Sequence, residues 1–175
     1  MLIKRLDNPI TEQYAQVKNK ILSCKFPWYT AQTSLRTGGI PFFVHTVLRR
    51  PDEEFPVPIK FTDTEIFDSL VFSLRDILKF NSIKISTFLR ISVNCTFHVS
   101  DGPACPPHHD HDFPHKNLLI YLTQSSGATV VINPENGEEE SFNPIDDAVI
   151  LFEGEHYHYQ PNVGERRLAL IATFI

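Results

Sequence analysis

At 175 residues and 20.1 kDa the chain is long enough for one domain with a substantial core and too short for two of ordinary size. Hydrophobic residues at 42% and charged residues at 21% exclude disordered, collagen-like and membrane-spanning compositions, and no apolar run reaches the ~20 residues that a bilayer requires. The net charge of −5 comes with no basic block, which disfavours nucleic acid as a partner. Cys24, Cys95 and Cys105 fit free thiols in a reducing compartment better than a disulfide framework, and the N-terminus lacks the apolar stretch of a secretion signal. The expectation is a cytoplasmic protein without a membrane anchor.

Tyr14, Val17 and Ile21 recur at helical spacing behind Thr11, which predicts a short amphipathic helix over residues 12–22. Residues 26–34 and 41–48 are rich in aromatic and β-branched types around Gly38-Gly39 and predict two strands joined by a turn. The stretch 49–58 is charged and broken by proline, so it reads as a loop. Thr62-Asp63-Thr64-Glu65 has the form of a capping box, and Ile66, Leu70, Phe72, Leu74, Ile77 and Leu78 follow with helical periodicity, predicting the strongest helix.

Beyond Ile83 the pattern turns to β-type segments at 85–99, 117–123, 128–132, 148–152 and 167–175, separated by turn clusters such as Asn133-Pro134-Glu135-Asn136-Gly137. The acidic run Glu138-Glu139-Glu140 is expected to solvate a hairpin tip. The predicted class is mainly β (α+β), with the helices packed on one side of a sandwich or barrel. A single domain spans residues 1–175, of which 1–82 supply helical and strand support and 83–175 the β core.

Histidine carries the functional signal. His108, His109, His111, His115, His156 and His158 fall in one part of the chain, and such clustering points to metal binding or proton transfer. In an extended segment residues two apart face the same way, so His108 and Asp110 can offer an imidazole and a carboxylate to one point. A distal His156 or His158 completes a 2-His-1-carboxylate set, which suits Fe(II) because coordination positions stay open. In the last strand Arg167 shares a face with the small Ala169, whereas Arg166 shares one with Leu168 and Leu170. Arg167 is therefore the inward candidate for holding a carboxylate. Cys105 and His108 give a Cys-x-x-His spacing with no second pair to make a structural zinc site.

With His108-His109-Asp110, His158 and Arg167 in that order, the run from His108 to Ile175 resembles the Fe(II)- and 2-oxoglutarate-dependent dioxygenases. The similarity is to the short prolyl-hydroxylase-like branch, which has bacteriophage-encoded members. Phe152 and Gly154 lead to the distal histidine as in such relatives, and Tyr121 followed by the Ser125-Ser126-Gly127 turn resembles their strand and Gly-turn. Thr123 stands where that family has Asn.

The resemblance implies a double-stranded β-helix (jelly roll, cupin-like), with Fe(II) held by His108, Asp110 and His158. It implies 2-oxoglutarate placed on Arg167 with help from Tyr121, dioxygen as co-reactant and ascorbate as a support of activity. The implied reaction is hydroxylation of an unactivated C–H bond, in the nearest analogy a prolyl residue of a peptide or protein, with a small-molecule substrate as the other class. A phage-encoded member acts in the host cytoplasm. Two other readings stay in view: a cupin-like metal protein with non-oxygenase chemistry, and a non-catalytic binding module on the same barrel. His109 and His111 are expected at the rim or behind the ligands, Arg90 and Asn94 along the pocket wall, and the loop of residues 49–58 with Trp28, Tyr29, Phe42 and Phe43 around the substrate-facing rim.

Overall fold

The structure, a computed structural model, describes residues 1–32, 40–51, 57–60, 66–102 and 104–175. The predicted turn at Gly38-Gly39 and the predicted capping box at 62–65 lie outside them. Helix α1 (Glu12–Leu22) starts where Thr11 accepts the Tyr14 amide on its hydroxyl, and it buries Tyr14, Val17 and Ile21. Helix α2 (Phe67–Phe80) buries Leu70, Leu74, Ile77 and Leu78. Phe72, placed in the apolar stripe by periodicity, is instead exposed; Ser73 takes the inward position and satisfies its hydroxyl on the Ser69 carbonyl. Among the described residues no helix is long and apolar enough to cross a membrane.

Among the described residues eleven strands make two antiparallel sheets. The larger runs β1 (Ile3–Leu6), β9 (Val149–Phe152), β6 (Lys116–Tyr121), β11 (Arg166–Phe174), β5 (Phe88–Phe97), β3 (Pro41–Arg49) and β2 (Tyr29–Gln32), with β4 (Ile59–Lys60) also on β3. The smaller runs β10 (His156–His158), β7 (Thr129–Ile132) and β8 (Glu139–Phe142). An isolated bridge between His108 and His156 continues the smaller sheet past β10.

Period-two alternation decides where everything else goes. On one face of the larger sheet, Ile91, Val93, Leu118, Ile120, Leu168, Leu170 and Phe174 pack with both helices in the main core. The other face carries Leu119, Tyr121, Ile150, Ala169 and Ile171, which form a second core with Val131 of the smaller sheet. Arg167 and Thr173 share that inner face by parity and are buried.

Strands β1, β4, β8 and β10 are additions to the predicted set. The acidic run is the clearest correction: Glu139 and Glu140 lie within β8, paired with Val131 and Ile132, and the turn is made by the residues before them. The Glu140 carboxylate accepts the Leu2 and Ile3 amides, so it anchors the N-terminal strand as well as meeting solvent.

Candidate active site

One cavity of about 330 Å³ opens between the sheets. Its lining includes His108, Asp110, His156 and His158 on the side of the smaller sheet, and Arg90, Asn94, Thr96 and Arg167 on the larger. The β5–β11 register explains the second group. Thr96 lies opposite Arg167, Asn94 opposite Ala169 and Arg90 opposite Thr173, so one strand face projects a polar row along the cavity.

Asp110 is buried, and burial alone raises a carboxyl pKa; Arg90, His156, Arg50 and His108 outweigh it and hold the group well below the usual carboxylate range. Arg90 Nη1 donates to Asp110 Oδ1 at 2.8 Å. Arg50 Nη1 donates to the Asp110 main-chain carbonyl at 2.9 Å. Oδ2 faces His156, whose Nε2 lies 3.9 Å away. Two ligands each ~2.1 Å from one ion can stand up to ~4.2 Å apart, so that pair is within reach of a shared cation.

The ring nitrogens sort the three histidines. His108 Nδ1 lies 3.0 Å from the Pro106 carbonyl and His156 Nδ1 lies 3.3 Å from that of Gly154. A carbonyl only accepts, so each Nδ1 carries the proton and each Nε2 keeps its lone pair, the arrangement found behind metal-ligating imidazoles. His158 is the reverse. Its Nδ1 lies 3.2 Å from Arg167 Nη2 and 3.0 Å from Thr129 Oγ1, and because guanidinium only donates, this Nδ1 accepts and the neutral ring carries its proton on Nε2. Burial and then Arg167 push the His158 pKa well below the ordinary imidazole value, while burial brings His156 down to about 4 against the opposing pull of Asp110. Among the described residues no three His, Cys, Asp or Glu side chains form a closed cluster around one point.

At the other end Arg167 is 4% exposed, and its described partners, Thr129 and His158, include no carboxylate; its Nε has no partner among the described residues. Tyr121 is fully buried and its hydroxyl meets Thr129 Oγ1 at 2.7 Å, so it backs Thr129 and lies under the guanidinium, 5.5 Å from ring centroid to Cζ. Asn94 Oδ1 and Thr96 Oγ1 are likewise buried without partners among the described residues. Unpaired polar atoms in a cavity wall mark where a polar ligand restores hydrogen bonds lost to burial.

Of the other expected residues, Arg90, Asn94 and Phe42 do line the cavity. Trp28 packs edge-on to Phe26 against the main core, and Tyr29 and Phe43 are exposed away from the cavity lining. His109 lies on the rim, while His111 is buried with Nε2 on Thr173 Oγ1 at 2.8 Å. Arg50 belongs to the 49–58 stretch expected at the substrate-facing rim, and it lines the cavity. Its approach to Asp110 is what that expectation did not contain.

No family model matches the chain, and no curated protein sequence does. Solved structures do. An oxidoreductase of the 2OG-Fe(II) oxygenase family from Burkholderia pseudomallei matches with a TM-score of 0.72 at 14% identity, covering 99% of this chain and 85% of that one. A Pseudomonas putida prolyl-4-hydroxylase matches with a TM-score of 0.59 at 12% identity, over 99% of this chain and 92% of that one. SnoN, a non-heme alpha-ketoglutarate-dependent epimerase of nogalamycin biosynthesis, matches with a TM-score of 0.62 at 10% identity, over 99% of this chain and 77% of that one. At these identities the likeness is one of architecture: the chain has the fold that these oxygenase structures share.

Proposed function

We propose that the protein is an Fe(II)- and 2-oxoglutarate-dependent oxygenase that hydroxylates an unactivated C–H bond, its two sheets being the walls of a double-stranded β-helix. The observation that carries this reading is one cavity lined by imidazoles and a carboxylate at one end and, at the other, by a buried arginine with no carboxylate among its described partners. The donor set of two nitrogens and one oxygen fits Fe(II) and leaves coordination positions open. The unmatched Arg167 fits a carboxylate received bidentately.

His108, Asp110 and His156 would hold the metal. His156 takes the place that sequence resemblance gives to His158, because its Nε2 lone pair is free and faces Asp110. His158, a donor at Nε2 with Nδ1 on Arg167, belongs with Arg167 and Thr129 at the carboxylate end. Bound Fe(II) supplies oxidative chemistry in which dioxygen and 2-oxoglutarate give succinate, carbon dioxide and one hydroxyl group on the substrate. The chain's own residues orient and shield. Arg90 fixes Asp110 by one oxygen so that the other is presented, Tyr121 and Thr129 brace Arg167, and the apolar wall of Leu119 and Ile171 limits water. Prolyl hydroxylation is the nearest analogy, since one solved neighbour is a prolyl-4-hydroxylase, yet another is an epimerase and fold alone does not select the substrate.

The test is succinate formation from 2-oxoglutarate with Fe(II) and ascorbate, which can be followed before any substrate is known. Titration with Mn(II) adds the site assignment: Asp110→Ala and His156→Ala are expected to lose metal binding, and His158→Ala to retain it. Loss in His158→Ala with retention in His156→Ala would restore the sequence-based choice. Metal binding without any 2-oxoglutarate turnover or binding would favour a cupin-like protein of other chemistry.

A further inference from the structure

We propose that the substrate is a low-molecular-weight carboxylic acid, with amino acids the fitting class, whose carboxylate is received by Arg50 at the cavity mouth; this rests on the oxygenase reading. Among the described residues the charges lining the cavity are Arg50, Arg90 and Arg167 against Asp110. A divalent iron and a doubly charged 2-oxoglutarate cancel one another, so the positive surplus persists when both are bound. Surplus positive charge in a partly desolvated site favours a carboxylate placed beside the guanidinium that lacks one, and in a chain with a net charge of −5 this focus is a local inversion.

Among the described residues geometry picks out which arginine is least matched. Arg90 is the full partner of Asp110, at 2.8 Å and with its side chain 15% exposed. Arg50 Nη2 stands 3.6 Å from the same oxygen, beyond a hydrogen bond, with its side chain 41% exposed. Its one well-formed bond among the described residues goes to the Asp110 main-chain carbonyl. That bond aims the guanidinium and does nothing to neutralise it. Guanidinium has five donors in a planar fork, so several remain for a carboxylate arriving from solvent.

Two more observations narrow the class. The cavity, about 330 Å³, lies at the small end of ligand sites, and with a cosubstrate inside it has room for a small molecule or one side chain. The unpaired Asn94 Oδ1 on its wall is an acceptor suited to an amine N–H. A residue internal to a peptide has neither a free α-carboxylate nor a free α-amine to offer, and an internal prolyl residue has no carboxylate or amine at all.

The test uses the Fe(II)-loaded protein with 2-oxoglutarate and follows succinate. The probes are the free L-amino acids, L-proline first, each beside its carboxamide, together with terminally blocked prolyl peptides. At least one free acid should raise succinate formation severalfold where its carboxamide does not. Arg50→Gln should raise the half-saturating concentration of that acid at least tenfold, and Arg50→Lys should recover part of the loss. Equal or better stimulation by carboxamides or blocked peptides overturns the proposal, as does an unchanged half-saturating concentration in Arg50→Gln. So does a panel in which no free acid stimulates although calorimetry shows 2-oxoglutarate binding to the Mn(II)-loaded protein. Absence of 2-oxoglutarate binding in that calorimetry instead removes the oxygenase reading, and the proposal falls with it.

Discussion

Arg166 and Arg167 are neighbours in sequence and opposites in structure: one is exposed, the other buried against Thr129, His158 and the Tyr121 ring. A charge-assisted hydrogen bond is worth roughly 1.5–3 kcal/mol, so Arg167→Ala should weaken 2-oxoglutarate binding about ten- to a hundred-fold, and Arg166→Ala should barely change it. Calorimetry on the metal-loaded protein decides; damage from Arg166→Ala alone would put the strand register one residue out. Gly127 is the other residue whose identity the backbone dictates. Its φ of +87° lies in the left-handed region, and a Cβ there would stand 2.8 Å from the Tyr159 carbonyl oxygen and 2.9 Å from the Pro161 nitrogen. Gly127→Ala therefore meets main chain, which cannot rotate away, and should cost roughly 1–3 kcal/mol, read as a drop in denaturation midpoint. Because the contacted segment directly follows His158, the same variant should also disturb 2-oxoglutarate affinity.

Elements with strong internal signals were legible in the chain, and those defined by their partners were not. Helix α2 buries Leu70, Leu74, Ile77 and Leu78 as its periodicity predicts, and the inward face of β11 follows from alternation over nine regular residues. Strands β1, β8 and β10 are four, four and three residues long with mixed polarity, and each exists because a neighbouring strand supplies its hydrogen bonds. The same limit applies to the site. His156 and His158 are two apart on one strand and face the same way, so alternation does not separate them; their partners differ, Asp110 for His156 and Arg167 with Thr129 for His158. Arg50 and Arg90 reach Asp110 across separations of 60 and 20 residues, beyond any local motif. The periodicity of α2 is itself testable. Leu74→Ala removes a fully buried side chain and should cost about 2–5 kcal/mol, whereas Phe72→Ala, on the exposed face, should stay within about 0.5 kcal/mol. Equal costs in urea denaturation would mean that the helix is rotated from the position described.

Across the whole molecule the larger sheet divides labour between its faces: the helix side holds the main apolar core, and the inner side holds buried polar and titratable groups around the cavity. That division makes stability depend on pH through the inner face. His111 is buried, with Nε2 on Thr173 Oγ1, and burial followed by the neighbouring His115 lowers its pKa to about 4. An unfolded histidine titrates near ~6.5, so between that value and about 4 the unfolded chain binds a proton that the folded one refuses. The stabilisation is therefore complete above pH ~6.5 and is lost progressively as the pH falls toward 4. His156, lowered to about 4 chiefly by burial, acts in the same direction. Urea denaturation of the metal-free protein should show stability falling between pH 7 and pH 5, and His111→Gln, which keeps a donor for Thr173 and cannot titrate, should lessen that fall while lowering stability modestly at pH 7. An undiminished slope in His111→Gln would mean that this histidine is protonated in the folded state and that its bond to Thr173 does not depend on a neutral ring.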